Sequence, residues 1–138
     1  MTVIAWDGTT LAADSLVTAG NFKYGHQEKI YKLKDGRHVA FAGDTCVIPS
    51  LLVWLEGGDK PVLPSDTGLN GFIVDKKKHC SEFTEDLLIF PSFTPWSGGS
   101  GGMAAMAAMK CGKTASEAVK IACELDVLCG GEIKTVKI

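Results

Sequence analysis

The second residue of the chain combines two groups that could do chemistry together. Thr2 follows the initiator methionine, and methionine aminopeptidases remove Met1 when the next residue is small. A threonine at a free N-terminus carries a nucleophilic hydroxyl, and its own α-amine can accept the proton. The reference pKa of an α-amine, roughly 7.7–8, suits that role near neutral pH. We therefore expect Met1 to be removed and Thr2 to act as a nucleophile that carries its own base.

The residues after Thr2 predict the element that would position it. Val3–Trp6 and Thr10–Ala13 are short apolar runs, and Asp7-Gly8 lies between them. An Asp-Gly pair between two such runs is a strong signal for a tight hairpin turn. The sequence thus places Thr2 at the start of a hairpin.

Several segments further along the chain extend this pattern. The segments are Thr2–Ala5, Leu11–Ser15, Glu28–Leu33, Val39–Thr45, Asp126–Gly131 and, as a weaker match, Gly99–Gly102. Taken together, they resemble the proteasome β-type subunits and their bacterial ring-peptidase relatives, which belong to the N-terminal-nucleophile hydrolase superfamily. The resemblance spans nearly the whole chain, and the short length is similar to that of a compact, phage-type member.

The resemblance implies roles for four residues around the nucleophile. Thr2 is expected to attack, and Lys29 to lie beside it as a fixed cation that favours a neutral amine and an alkoxide-like oxygen. Asp14 is expected to pair with Lys29 and hold it in place. Gly43 is expected to donate its backbone N–H to the oxyanion, a contribution of roughly 3–4 kcal/mol. Read without the resemblance, Lys29 is an exposed strand lysine, Asp14 begins a turn and Gly43 is a turn glycine.

An outer group of residues is implied by the same resemblance. Asp126 and Ser100 match a pair that forms hydrogen bonds around the threonine amine. Cys129 stands where the family commonly has serine, and a thiol is a weaker hydrogen-bonding group than a hydroxyl. No histidine stands near Cys129 in the sequence, which argues against a separate cysteine nucleophile.

The resemblance also implies a substrate pocket beside the nucleophile. Gln27, Tyr31 and Phe41 are expected to border the pocket for the residue before the scissile bond, with Phe41 making it shallow. The implied substrate is a peptide or protein. The implied assembly is a homo-oligomeric ring, which could work with an unfoldase partner.

The order of predicted elements indicates the α+β class. Strands flank a central helical stretch, and that order predicts layers packed around a core. The resemblance implies a four-layer αββα sandwich of two antiparallel sheets, the Ntn-hydrolase fold, with residues 1–138 as one domain. The predicted strands are the first hairpin, Ile30–Leu33, His38–Ala42, Gly71–Asp75, Leu87–Phe90 and Ile133–Ile138; the predicted helices are Ile48–Leu55, Met103–Cys111 and one opened by the Thr114–Glu117 capping box. We expect Met103–Cys111 to be buried between layers, and Pro91–Gly102 to be an irregular loop.

Composition argues against several other classes of protein. A net charge of −2 and a single arginine, Arg37, leave little basis for nucleic-acid binding, and Lys76–His79 is more simply a solvated hairpin tip. Asp7 interrupts the apolar N-terminal run, so we expect neither a signal peptide nor a membrane span. The five cysteines form no CxxC pair, which predicts free thiols and a cytoplasmic location, in the host if the gene is phage-encoded. The histidines show no metal-ligand spacing, so we expect no metal and no other cofactor.

Three functions remain open from the sequence. The favoured one is a threonine-type amide hydrolase that acts as a peptidase. The second is a catalytically inactive assembly or scaffold subunit with the same fold, since a retained Met1 would block the amine. The third is a nucleotide-binding module, suggested by the loop Ser97–Gly102 before a helix, although that loop lacks the lysine of a phosphate-binding loop.

Overall fold

The computed structural model describes residues 2–138, so the expected loss of Met1 concerns a residue outside the described part of the chain. The strands are β1 Ile4–Trp6, β2 Thr10–Ala13, β3 Leu16–Ala19, β4 Phe22–His26, β5 Ile30–Lys32, β6 His38–Ala42, β7 Asn70–Val74, β8 Cys80–Phe83, β9 Phe90–Pro91, β10 Trp96–Gly98 and β11 Lys134–Lys137. The helices are α1 Ile48–Leu55, preceded by a 3₁₀ turn at Thr45–Val47, α2 Gly102–Lys110 and α3 Ala115–Leu125. No helix among residues 2–138 combines the length and apolar character needed to cross a membrane.

The strands form three antiparallel sheets. The first has the order β10-β1-β2-β11, the second is the β3-β4 hairpin, and the third has the order β5-β6-β7-β8-β9. The first hairpin turns as predicted, because the Asp7 carboxylate accepts the N–H groups of Thr9 and Thr10, each at 2.9 Å. The α+β class is confirmed, and the structure is consistent with the fold that the resemblance implied.

Alternation along β1 distributes its side chains between two cores. Successive strand residues point to opposite faces of a sheet. Val3 and Ala5 therefore pack with α2 and α3, whereas Ile4 and Trp6 pack with residues of the third sheet such as Phe72. A further core lies between the third sheet and α1. Strand β1, which follows Thr2, is thus buried on both faces.

Two strand predictions were wrong. Of the predicted strand Leu87–Phe90, only Phe90 lies in a strand, β9, because Leu87 has a φ of +58° at the end of a turn; the strand that pairs with β7 is Cys80–Phe83. The predicted loop 91–102 contains strand β10, which pairs with β1, and its Trp96 stacks on Phe72 with ring centroids 4.6 Å apart. The β3-β4 hairpin was not predicted at all.

The prediction that the Ala- and Met-rich helix is buried between layers was also wrong. Helix α2 buries Ala105, Ala108 and Met109, but Met103 is 85% exposed. Alanine side chains give a helix little distinction between faces in the sequence, so the exposed face could not be recognised. The capping box at the start of α3 is confirmed: Thr114 accepts the Glu117 N–H at 3.2 Å, and Glu117 accepts the Thr114 N–H at 3.1 Å.

Candidate active site

A buried ion pair lies at the centre of the candidate site. Asp14, directly after β2, and Lys29, directly before β5, are 1% and 6% exposed. The Lys29 Nζ donates to Asp14 Oδ1 at 2.8 Å and to the Leu16 carbonyl at 2.8 Å. Burying a charge is costly unless it is paired and hydrogen-bonded, and both conditions are met here. Lys29 is therefore held in one place, rather than being an exposed strand lysine.

Asp14 joins that cation to two other parts of the chain. Its Oδ1 also accepts the Val3 N–H at 3.0 Å, and its Oδ2 accepts the Gly130 N–H at 3.0 Å. The Asp14 N–H in turn donates to the Val3 carbonyl at 3.2 Å. One carboxylate thus fixes the residue after Thr2, the ammonium of Lys29 and the loop after α3.

Thr2 is held from the opposite side by the glycine-rich segment before α2. The Thr2 carbonyl accepts the Gly101 N–H at 3.1 Å. Gly99 has a φ of +85°, and a Cβ there would collide with the Thr2 carbonyl. Thr2 itself is 6% exposed. Ser97–Gly102, which the sequence left open as a phosphate loop, therefore packs its backbone against the proposed nucleophile.

The three predicted outer residues lie together. The Cys129 Sγ donates to Asp126 Oδ2 at 3.4 Å and lies 3.6 Å from the Ser100 Oγ. The Leu128 N–H donates to Asp126 Oδ1 at 2.9 Å. Burial alone would raise the pKa of Asp126, but the hydrogen bonds from Ser100, the Leu128 N–H and Cys129 outweigh it and lower the pKa. Asp126 is thus a stable anion at the edge of the site.

Cys129 does not have the character of a nucleophile. Burial, together with the negative charges of Asp14 and Asp126, raises the pKa of its thiol to about 12. The nucleophilic form of cysteine is the thiolate, so this thiol is inert near neutral pH. Its role in the site is that of a hydrogen-bond donor.

Gly43 lies at the surface where β6 ends, in a conformation that favours glycine. Its φ is +126°, and a Cβ would come within 2.9 Å of both the Leu69 Cα and the Thr67 carbonyl oxygen. The contacts that surround Gly43 are thus with residues 67–69. These residues were not predicted from the sequence, since no local pattern among them signals a contact with Gly43.

The three predicted pocket residues contact one another in series. The Gln27 Nε2 donates to the Tyr31 hydroxyl at 3.3 Å, and the Tyr31 and Phe41 rings lie 5.7 Å apart. Phe41 is only 3% exposed and packs in the core beside α1. An open cavity of about 490 Å³ lies beside Asp14, and of the three predicted pocket residues its lining includes Gln27.

Within residues 2–138, no cluster of three or more histidine, cysteine, aspartate or glutamate side chains has an arrangement that could hold a metal ion. The positive charge that the structure places beside Asp14 is the lysine ammonium.

The fold is shared with solved structures, although no protein-family model and no curated protein sequence matches the chain. BPH from Thiobacillus denitrificans superposes with a TM-score of 0.74 at 16% identity, covering 99% of this chain and 96% of that one. BPH in complex with epoxomicin gives 0.70 at 18% identity, covering 99% and 97%. HslV from Trypanosoma brucei gives 0.74 at 17% identity, also covering 99% and 97%.

These comparisons establish a class of fold. The chain has the fold of the proteasome-like N-terminal-nucleophile proteins, as the resemblance in the sequence predicted. The likeness extends over almost the full length of this chain and of each solved structure.

Proposed function

We propose that the protein is an N-terminal threonine amide hydrolase, a peptidase that uses Thr2 after Met1 has been removed. The observation that supports this most strongly is the buried Asp14–Lys29 ion pair at the start of β1. A lysine buried at this point, hydrogen-bonded to the same carboxylate oxygen as the Val3 N–H, is costly to maintain for structure alone. It supplies the fixed positive charge that activation of Thr2 requires.

The proposed reaction proceeds in two halves. The Thr2 α-amine takes the proton from Oγ, through a water molecule, while Oγ attacks the scissile carbonyl carbon. The Gly43 N–H donates to the oxyanion that forms. Collapse of this intermediate breaks the C–N bond, and the α-ammonium returns its proton to the departing amine. Water then hydrolyses the Thr2 ester by the same route and regenerates the free hydroxyl.

Two groups of residues tune the Thr2 amine in this proposal. Lys29 disfavours the protonated amine by charge repulsion and keeps it able to act as a base. Asp126, Ser100 and Cys129 orient the amine from the other side, with the Cys129 thiol in the place of a hydroxyl. Gln27 and Tyr31 are proposed to border the pocket for the residue before the scissile bond, with the buried Phe41 ring packed against Tyr31.

The proposal extends to substrate and assembly. The substrate is a peptide or an unfolded protein chain, and the working form is a ring of identical subunits in the cytoplasm that could receive chains from an unfoldase. We further infer that residues 1–138 form one domain whose three cores separate four layers, with α2 and α3 outside the first sheet and α1 outside the third. Light scattering tests the assembly, since a particle of one-chain mass at micromolar concentration contradicts a ring.

A covalent inhibitor tests the chemistry. Epoxomicin is bound in a BPH structure, and an epoxyketone reacts first with the hydroxyl and then with the amine of an N-terminal threonine. We expect labelling at Thr2 and at none of the five cysteines. Labelling should vanish in Thr2→Ala and in protein that retains Met1, and should persist in Thr2→Ser, which keeps both groups. No labelling by a panel of epoxyketones with varied side chains, on protein shown to begin at Thr2, would overturn the proposal.

An inactive assembly subunit is the second candidate. The observation that favours it is the low exposure of Thr2, which is 6%. This candidate predicts that the protein retains Met1, assembles and does not react with any epoxyketone.

A further inference from the structure

The turn that carries Gly43 is fastened to a segment far along the chain. The Asp44 N–H donates to the Thr67 carbonyl at 3.0 Å. The Gly43 Cα approaches this segment so closely that an added Cβ would meet the Leu69 Cα and the Thr67 oxygen at 2.9 Å. These are contacts between backbones, which cannot rotate away as a side chain can. The positions of the Gly43 Cα and of the Asp44 N–H therefore depend on where residues 67–69 lie, and so does the direction of the neighbouring Gly43 N–H.

Residues 67–69 are themselves held by two buried side chains and one carboxylate. Thr67 and Leu69 are 3% and 2% exposed, and Leu69 packs in the core beside α1. Between them, Gly68 is exposed and has a φ of +64°. Its N–H donates to the Glu85 Oε1 at 2.9 Å. Through this hydrogen bond, the exposed Glu85 side chain holds residues 67–69 in position.

We propose that Glu85 is a positioning residue for the oxyanion donor. It fixes Gly68, and with it the Thr67 carbonyl that holds the Asp44 N–H beside Gly43. The inference rests on the proposed function, in which the Gly43 N–H donates to the oxyanion. Such a donor must lie about 2.7–3.1 Å from the oxyanion, so small displacements of the turn reduce the rate. Glu85 acts at a distance and does not touch the substrate.

The turn at residues 84–87, which carries Glu85, also supplies a matched control. Asp86 is also an exposed carboxylate, but it accepts the Leu88 N–H at 3.1 Å and lies 3.3 Å from the Thr84 hydroxyl, both within its own turn. Asp86→Ala therefore disturbs the turn without removing the bond to Gly68. Glu85→Gln keeps an oxygen acceptor of the same length, whereas Glu85→Ala removes it.

Kinetics give the first arm of the test. We expect loss of the hydrogen bond from Gly68 to Glu85 to lower the rate about fivefold if it displaces the Gly43 N–H. We expect Glu85→Ala to lower kcat by about that factor with KM unchanged, because oxyanion contacts form only in the transition state. Glu85→Gln should restore the wild-type kcat, and Asp86→Ala should leave it unaltered. Active wild-type protein with the same kcat in Glu85→Ala overturns the inference but not the proposed function.

Amide hydrogen exchange gives an arm that does not depend on activity. If Glu85 holds the segment, the Asp44 amide should exchange faster in Glu85→Ala than in wild-type protein or Asp86→Ala, and the Gly43 amide resonance should shift. An Asp44 amide that exchanges equally in all three overturns the inference whether or not the wild-type protein hydrolyses peptides. Wild-type protein that starts at Thr2 and hydrolyses no peptide contradicts the proposed function instead.

Discussion

The two sides of the candidate site are built differently. On the inner side, Asp14 and Lys29 are buried, oppositely charged and joined at 2.8 Å, with further hydrogen bonds to backbone groups. On the outer side, Ser100 is exposed and Asp126 is half-buried; both contact the sulfur of Cys129 at 3.4–3.6 Å, and Asp126 also accepts the Leu128 N–H. Loss of one partner of a buried charge pair leaves an uncompensated buried charge, whereas the charge of the outer side is half-buried and therefore partly solvated and screened. The inner side should therefore be indispensable, and the outer side should tune the reaction.

The largest expected effect is loss of hydrolysis when Lys29 is removed. Lys29→Ala should abolish peptide hydrolysis, and Lys29→Arg should be poor because the guanidinium is larger and planar. Lys29→Ala also leaves the Asp14 carboxylate without its cation, so its effect on folding must be separated from its effect on catalysis. The double variant Asp14→Asn/Lys29→Met removes both charges and should be more stable than Lys29→Met alone, yet still inactive. Hydrolysis by this double variant would show that the ion pair serves only the fold.

The second expected effect concerns stability on the inner side. Asp14→Asn places an amide NH₂ where either the Lys29 ammonium or the Gly130 N–H now donates, and so leaves a buried donor unpaired. Breaking one partner of a buried ion pair costs about 3–5 kcal/mol of unfolding free energy. Urea unfolding measures this, with Asp126→Asn as the control on the outer side. Equal losses in the two variants would contradict the difference between the sides.

A smaller effect is expected from the outer side. Cys129→Ser replaces a weak donor with a hydroxyl that can reach Ser100 and Asp126 more effectively. One improved hydrogen bond contributes about 1 kcal/mol, or about fivefold in rate. We expect kcat/KM to change by no more than that factor in either direction. Complete loss of activity in Cys129→Ser would show that the thiol has a direct chemical role.

The last expected effect is a difference in stability that is confined to alkaline pH. Burial raises the pKa of the Cys129 thiol to about 12 and that of Cys123 to about 11. Free thiols titrate near pH 8.5, so above that pH the unfolded chain loses protons that the folded protein keeps. The unfolding free energy should therefore fall as pH rises from about 8.5 towards 11, by at most about 1.4 kcal/mol per pH unit for each thiol. The unfolding free energy of Cys129→Ser, measured by urea titration, should fall less steeply with pH than that of the wild-type protein. Identical slopes in the two proteins would contradict the burial of the Cys129 thiol.

The sequence was informative where local patterns carry the structure. The Asp7-Gly8 turn, helix α1 and the Thr114 capping box all depend on residues close together in the chain, and each was predicted. The short strand β10 was not, because Trp96 lies among glycine, serine and proline residues that indicate a loop. Its strand forms only because β1 supplies a pairing partner.

In the candidate site, too, contacts between residues distant in the sequence could not be predicted from local patterns. The pairing of Asp14 with Lys29 was inferred from resemblance to a family, since nothing in the spacing of two isolated residues shows that they meet. The contact of Gly43 with residues 67–69 was missed because it joins two backbones across a long connection. Such contacts depend on how distant segments pack in the folded chain, and the sequence indicates them here only through the presence of a glycine at position 43.

The most direct test of the central claim is the intact mass of the protein expressed without an N-terminal tag. The proposed chemistry requires the α-amine of Thr2 to be free, because that amine is the base in both halves of the reaction. We predict a mass smaller by one methionine residue than that of the translated chain. Retention of Met1 in every expression host would contradict the hydrolase and leave the inactive assembly subunit as the better account.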